Sequence, residues 1–105
     1  MSLNLKIMTP QGIAFEGEVE SLSAPGIDGY FGVLPSHAPM VTAIGMGILK
    51  FEKQGDIQYY VISGGVAEVT ARETTILADV TKKVAGPDAA EIELEELAFP
   101  TPNGR

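Results

Sequence analysis

His37 is the one side chain in this sequence suited to proton transfer near neutral pH. It stands in Pro35-Ser36-His37-Ala38-Pro39, next to the Ser36 hydroxyl. A general base needs a nucleophile within hydrogen-bond reach and an acid that orients the ring, and adjacency in sequence supplies neither. Three readings of His37 stand open: a brace bonded to its own loop, a direct contact to a partner, or the base of a small enzyme. One histidine and no cysteine exclude histidine metal clusters and thiolate chemistry. Glu16, Glu18 and Glu20 share one face of a strand and form no ligand motif, as expected of a solvated surface. No G-x-x-x-x-G-K-S/T phosphate loop occurs, and Gly64-Gly65 lacks the lysine that would follow. No catalytic residue, cofactor or metal is therefore expected.

The elements around His37 are shaped rather than flexible. Ala24 to Ala43 carries Pro25, Gly26, Gly29, Gly32, Pro35 and Pro39 around one short apolar piece, Tyr30 to Leu34. Glycine opens backbone angles closed to other residues, and proline fixes φ. Gly29, Gly32, Pro35 and Pro39 are expected to shape this loop into a contact surface. Phe31 and Leu34 are expected in the core, with Tyr30 outward as a candidate interface anchor.

Upstream, Leu3, Leu5 and Ile7 alternate with polar residues, the signature of a half-buried strand. A turn over residues 8–12 leads to a strand from Ile13 that carries Phe15 inward. Val19 is odd-numbered whereas Leu22 and Ala24 are even, so a bulge or corner must intervene, and Gly17 is one place for the bend. Downstream, strands are expected over 40–44 and 48–53, a hairpin turn at Lys53-Gln54-Gly55-Asp56, and strands over 57–62, 66–71 and 74–78. Tyr59 to Ile62 is apolar on both faces, so that strand is central or covered from outside. Ser63-Gly64-Gly65 allows a sharp bend. The expected architecture is an antiparallel β-sandwich or flattened barrel of eight to ten short strands over residues 1–84. Residues 85–105 hold at most one short helix, about 88–98, with Asp88 as cap and Glu91 closing a capping box, then a frayed tail at 103–105.

Composition sets further bounds. At 105 residues with 45% hydrophobic and 20% charged side chains, the chain is one ordinary globular domain. A net charge of -7 disfavours nucleic acid and unaided docking on anionic lipid. No apolar run suits a membrane span or a signal-peptide core, and no direct lipid insertion is expected.

The run Gly29-Tyr30-Phe31-Gly32-Val33-Leu34-Pro35-Ser36-His37-Ala38-Pro39 resembles the amino-terminal domain of the epsilon subunit of F-type ATP synthases, the mitochondrial delta equivalent. Further blocks agree in the family's order: T-P-x-G at 9–12, F-x-G-E-V-E at 15–20, P-G at 25–26, S-G-G at 63–65, E-V at 68–69 and L-A-D at 77–79. The resemblance covers roughly the first four-fifths of the chain. It implies a β-sandwich and a non-catalytic central-stalk part that couples ring rotation to ATP synthesis through the gamma subunit. It further implies a contact to the ring of c subunits at Ile27, Asp28, Gly29, Tyr30, Ser36, His37, Ala38 and Met40. A gamma contact is implied near Thr9, Pro10, Gln11, Ser63, Gly64, Gly65 and Glu68. The place implied is the cytoplasmic face of the bacterial plasma membrane, with a thylakoid as the alternative.

Two departures limit what the family implies. Longer members end in a hairpin of two helices, whose first helix has an arginine where Glu96 stands here. The stretch from Asp88 to Arg105 is too short for both helices, so self-inhibition and ATP binding by that hairpin are expected to be missing. Tyr30 stands where an acidic residue is common, so no carboxylate contact transfers. A free-standing β-sandwich module that binds a peptide or carbohydrate is the alternative, and a small enzyme using His37 comes third.

Overall fold

The computed structural model describes residues 2–99. Alternation forms the first strand as expected: β1 (Leu3–Thr9) buries Leu3, Leu5 and Ile7 and turns Asn4 outward. It is followed by β2 (Gly12–Val19), β3 (Ser21–Gly26), β4 (Gly29–Val33), β5 (Met40–Ala43), β6 (Gly47–Lys53), β7 (Asp56–Val69), β8 (Glu73–Val84) and α1 (Pro87–Ala98). The expected tail at 103–105 lies outside the described residues.

The strands form one folded sheet in the order β2-β1-β8-β7-β6-β3-β4, with β5 beside β7 off that path. Folding brings Phe15 of β2 within 4.4 Å, ring centre to ring centre, of Phe51 on β6, although β1, β8 and β7 separate those strands in the order. Phe51 meets Tyr60 at 5.8 Å. Leu5, Ile7, Val19, Leu22, Leu49, Ile62 and Ile76 close the same core. Each fully buried aliphatic of this kind contributes about 1.5–3 kcal/mol.

The expected β-sandwich is present, with several local differences. Most neighbouring strands are antiparallel, but β1 runs parallel to β8. The stretches 57–62 and 66–71 are not separate strands. Residues 57–62 and 66–69 belong to β7, which pairs with β6 over its first half and with β5 over its second, and Thr70 and Ala71 lie between β7 and β8. The change of neighbour falls at Gly64 and Gly65, whose φ values of 72° and 116° suit glycine. β8 runs on past Ala78 to Val84 because its second half follows β7 back to Tyr59.

The parity change also sits elsewhere than expected. The bulge in β2 is at Ala14, where the register passes from Ile7–Phe15 to Met8–Ile13. The corner between odd and even parity is at Glu20, between β2 and β3. Gly17 bends nothing: it pairs with Leu5, and a Cβ there would stand 3.2 Å from the Phe15 ring. The missing side chain makes room for that ring.

β7 is apolar on both faces because it is covered on both. Tyr60 and Ile62 join the core, while Val61 is buried but lies outside that cluster. Alternate residues of a strand face opposite ways. Val61 therefore lies on the side where α1 packs across β6, β7 and β8 and buries Ala90. Asp88 is not the cap: the helix starts one residue earlier, with Gly86 as N-cap and Pro87 in the first turn. Proline suits that place because its missing N–H would go unpaired there anyway.

Candidate interaction surfaces

The first surface follows β4, which ends the sheet order and so leaves one edge of its backbone unpaired. β3 and β4 form a hairpin through Ile27 and Asp28, closed by Gly29 at φ 128°. The hairpin tip is tied to β5 by the Ile27 N–H, which donates to the Ala43 carbonyl at 3.0 Å, and by a bridge between Gly26 and Ile44. Ile27, Tyr30 and Leu34 are 68%, 60% and 64% exposed. The core position expected for Leu34 is thus overturned. Val33 fills the inward place at the end of β4, and the chain turns outward immediately after it. Phe31 is half-buried against the core. Gly32 does not shape the loop: its φ is outside the left-handed region, and a Cβ would meet only the Leu22 carbonyl at 3.8 Å.

Beyond β4 the loop is held from two sides. Ser36 adopts a left-handed φ of 68°, and its N–H donates to the Ala71 carbonyl at 3.1 Å. The His37 N–H donates to the Leu34 carbonyl at 3.1 Å. His37 Nδ1 lies 2.6 Å from the Ala38 carbonyl oxygen, which only accepts, so Nδ1 carries the proton. The ring is turned onto its own loop, and the described side-chain hydrogen bonds include none between Ser36 and His37. Thus Ile27 to Tyr30 and Ser36 to Ala38 sit at opposite ends of β4, about 17 Å apart by strand rise, while Met40 opens β5, three residues before the Ala43 that bonds Ile27. One contact reaches both sets by running along the β4 edge.

The second surface centres on the outer side of β8. Thr74, Ile76 and Ala78 are buried, so Leu77 faces out, and Leu77 and Val80 are 46% and 45% exposed. Met8 sits opposite Leu77, which sits opposite Val66. This register brings Thr9 and Pro10 into one groove with Gly65, Leu77 and Asp79, with a volume of about 380 Å³. A neighbouring groove of about 410 Å³ takes in Gln11, Ile13 and Val80. The Thr9 hydroxyl accepts the Gln11 N–H at 3.2 Å and donates to the Gly12 carbonyl at 3.3 Å, which fixes the turn. At Gly64 and Gly65 a Cβ would run into the Asp79 carboxylate and the Leu77 carbonyl, so the two strands approach there as only glycine permits. Ser63 pairs with Val80, whereas Glu68 lies further along β7, opposite Thr75.

Thr9, Pro10, Gln11, Ser63, Gly64 and Gly65 are therefore neighbours, and Glu68 is set apart. Ile13, Leu77 and Val80 were missed in the sequence. For Leu77 the signal is a large apolar residue whose immediate neighbours, Ile76 and Ala78, face the core. Among the described residues no helix is long and apolar enough to cross a membrane.

Residues 2–84 match the family described as ATP synthase, Delta/Epsilon chain, beta-sandwich domain. An ATP synthase epsilon chain of Rhodopseudomonas palustris strain BisA53 is 45% identical over 89 residues, covering 85% of this chain and 66% of its own length. Another, from strain BisB5, is 41% identical over 103 residues, covering 94% of this chain and 76% of that protein. Against the first of these, and against that of strain BisB18 at 63%, the chain spans a little under two thirds of the relative's length. In fold the chain is similar to a chain of the Euglena gracilis mitochondrial ATP synthase structure of OSCP, F1 and c-ring. The TM-score is 0.74 at 24% identity, covering 99% of this chain and 71% of that one.

Proposed function

Since the chain belongs to the ATP synthase delta/epsilon chain β-sandwich family, we propose that it is a non-catalytic epsilon subunit in the central stalk of a proton-translocating F-type ATP synthase. In this reading the gamma subunit binds the β8 surface, around Thr9, Pro10, Gly65, Leu77 and Val80. The β4 edge, from Ile27 and Tyr30 to Ser36 and His37, rests on the ring of c subunits. Proton flow turns the ring, and the stalk carries torque to catalytic sites in other subunits. The single observation that carries the proposal is that two exposed apolar surfaces belong to one continuous sheet, with only β7, β6 and β3 between them.

The mechanism is mechanical. Load applied at β4 reaches β8 through strand pairing and a close-packed core, which deforms little. Two contacts of roughly standard size, about 800 Å² per partner, resist rotation of the body better than one. With a net charge of -7 the chain is held at the membrane by protein contacts, on the cytoplasmic face of the bacterial plasma membrane. Residues 1–84 serve as the coupling body and 85–105 as an appended segment. No catalytic step and no nucleotide site is assigned to either.

The test is co-purification of the chain with its gamma subunit, followed by crosslinking from Tyr30 within the assembled complex. Comigration with gamma and a crosslink to the c subunit are expected. A folded chain that fails to comigrate with gamma overturns the proposal.

A further inference from the structure

A third apolar surface lies outside both of these faces and does not depend on the stalk reading. α1 and the β5–β6 connection enclose a groove of about 460 Å³, lined by Met46, Glu91, Ile92, Glu95 and Phe99 among others. Met46, Ile92 and Phe99 are 47%, 62% and 77% exposed. Ile92 in α1 and Phe99, the residue that caps its C-terminus, both line this groove, so the apolar stripe runs past the end of the helix.

The charge around this stripe is one-sided. α1 carries Asp88, Glu91, Glu93, Glu95 and Glu96, and no lysine or arginine. Of these five acids only Glu93 has a cationic partner among the described residues, Lys82 at 3.1 Å. Glu95 and Glu96 stand in the last turn, where the helix dipole is negative and a cation would be favourable. A helix left to itself gains nothing from acids at that end. The same rim repels a second copy of α1, which would bring equal charge, and repels an anionic bilayer.

We propose that this groove docks a lysine- or arginine-rich amphipathic helix of a partner protein. Its apolar side chains cover Met46, Ile92 and Phe99, and its cations face Glu91 and Glu95 and offset the charge of the last turn.

The probe is a labelled leucine–lysine peptide of about 14 residues with leucines at helical spacing, titrated with the full chain and followed by fluorescence anisotropy. Binding is expected, weakening several-fold as salt rises from about 50 to about 300 mM. Ile92→Asp and the pair Glu91→Gln with Glu95→Gln are each expected to weaken it about tenfold. Glu73→Gln, on the far part of the sheet, leaves it unchanged. A peptide of the same composition with its periodicity scrambled binds at least about tenfold more weakly, because it presents no apolar stripe. Equal binding of the two peptides, or indifference to Ile92→Asp in a variant whose circular dichroism matches the parent, shows charge attraction without a groove and overturns the proposal.

Discussion

The phenol oxygen of Tyr30 accepts the backbone N–H of Ile48 at 2.8 Å, reaching past Pro25 to a strand that β4 does not pair with. Registered pairing of β3 with β6 stops at Ser23 and Lys50, and Pro25 has no N–H to give. Gly47 is the floor of this contact: a Cβ there would lie 2.5 Å from Tyr30 Oη and 2.7 Å from Pro25 Cβ. An interface candidate therefore also holds the edge hairpin to the rest of the sheet.

Gly47→Ala is expected to cost about 1–3 kcal/mol by overpacking, and Tyr30→Phe about 1 kcal/mol through the lost hydrogen bond. Gly32→Ala, with open space and an ordinary φ, stays within about 0.5 kcal/mol. Urea unfolding of the three variants checks the order. A Gly47→Ala chain as stable as the parent contradicts the packing described.

Gly65→Ala tests the corner in β7. Its φ of 116° and the Leu77 carbonyl both stand against a side chain, and a loss above about 3 kcal/mol is expected. Gly55→Asn is the control, since Gly55 has φ 86° and nothing within 4 Å. Asparagine tolerates the left-handed region, so a loss of at most about 1 kcal/mol is expected there. Thermal unfolding separates the two.

Tyr60 gives a pH prediction. Burial raises its phenol above the ordinary value of 10.0, because the ionised form loses solvation. A group whose folded pKa is raised stabilises the fold while protonated. That stability is whole below the unfolded value near 10 and is lost as pH rises through the folded one. The parent should therefore lose stability above about pH 10 more steeply than Tyr60→Phe, measured as denaturant midpoint against pH. Parallel curves for the two proteins count against the burial argument.

The two proposed contacts separate by mutation. Val80→Asp and Leu34→Asp each place a charge on an exposed apolar site, so each should change stability by no more than about 0.5 kcal/mol. Val80→Asp is expected to reduce capture by the gamma subunit more than tenfold, about 1.4 kcal/mol. Leu34→Asp should keep gamma capture and lose the crosslink from Tyr30 to the ring. Loss of gamma capture by both variants alike would mean that the β4 edge is not a separate contact.

Much of this was readable along the chain. Alternation at Leu3, Leu5 and Ile7 and at Leu49 and Phe51 marks the inward face, because a strand presents every second residue to the same side. Gln54 and Gly55, with φ of 54° and 86°, make the hairpin turn that their types announce. The body of the family pattern over residues 9–79 likewise rests on local order. The mistakes share a cause. Leu34 looks like core because it is apolar, yet exposure depends on where the chain leaves the sheet. Gly17 looks like a hinge because it is glycine, yet it is small to admit a ring thirty-six positions from its partner Phe51.

What the sequence determined by itself is local: strand faces, turns, the absence of thiol and phosphate-loop chemistry, and the family blocks, since each depends on neighbours within a few residues. What only the tertiary structure decided is which separate stretches meet. The parallel pairing of β1 with β8 puts Thr9 beside Gly65, and the edge position of β4 splits Ile27 from His37. α1 covers Val61 and leaves Ile92 and Phe99 outside. Such pairings are fixed by the shared burial of one core, and a linear pattern carries no record of which faces will close on each other.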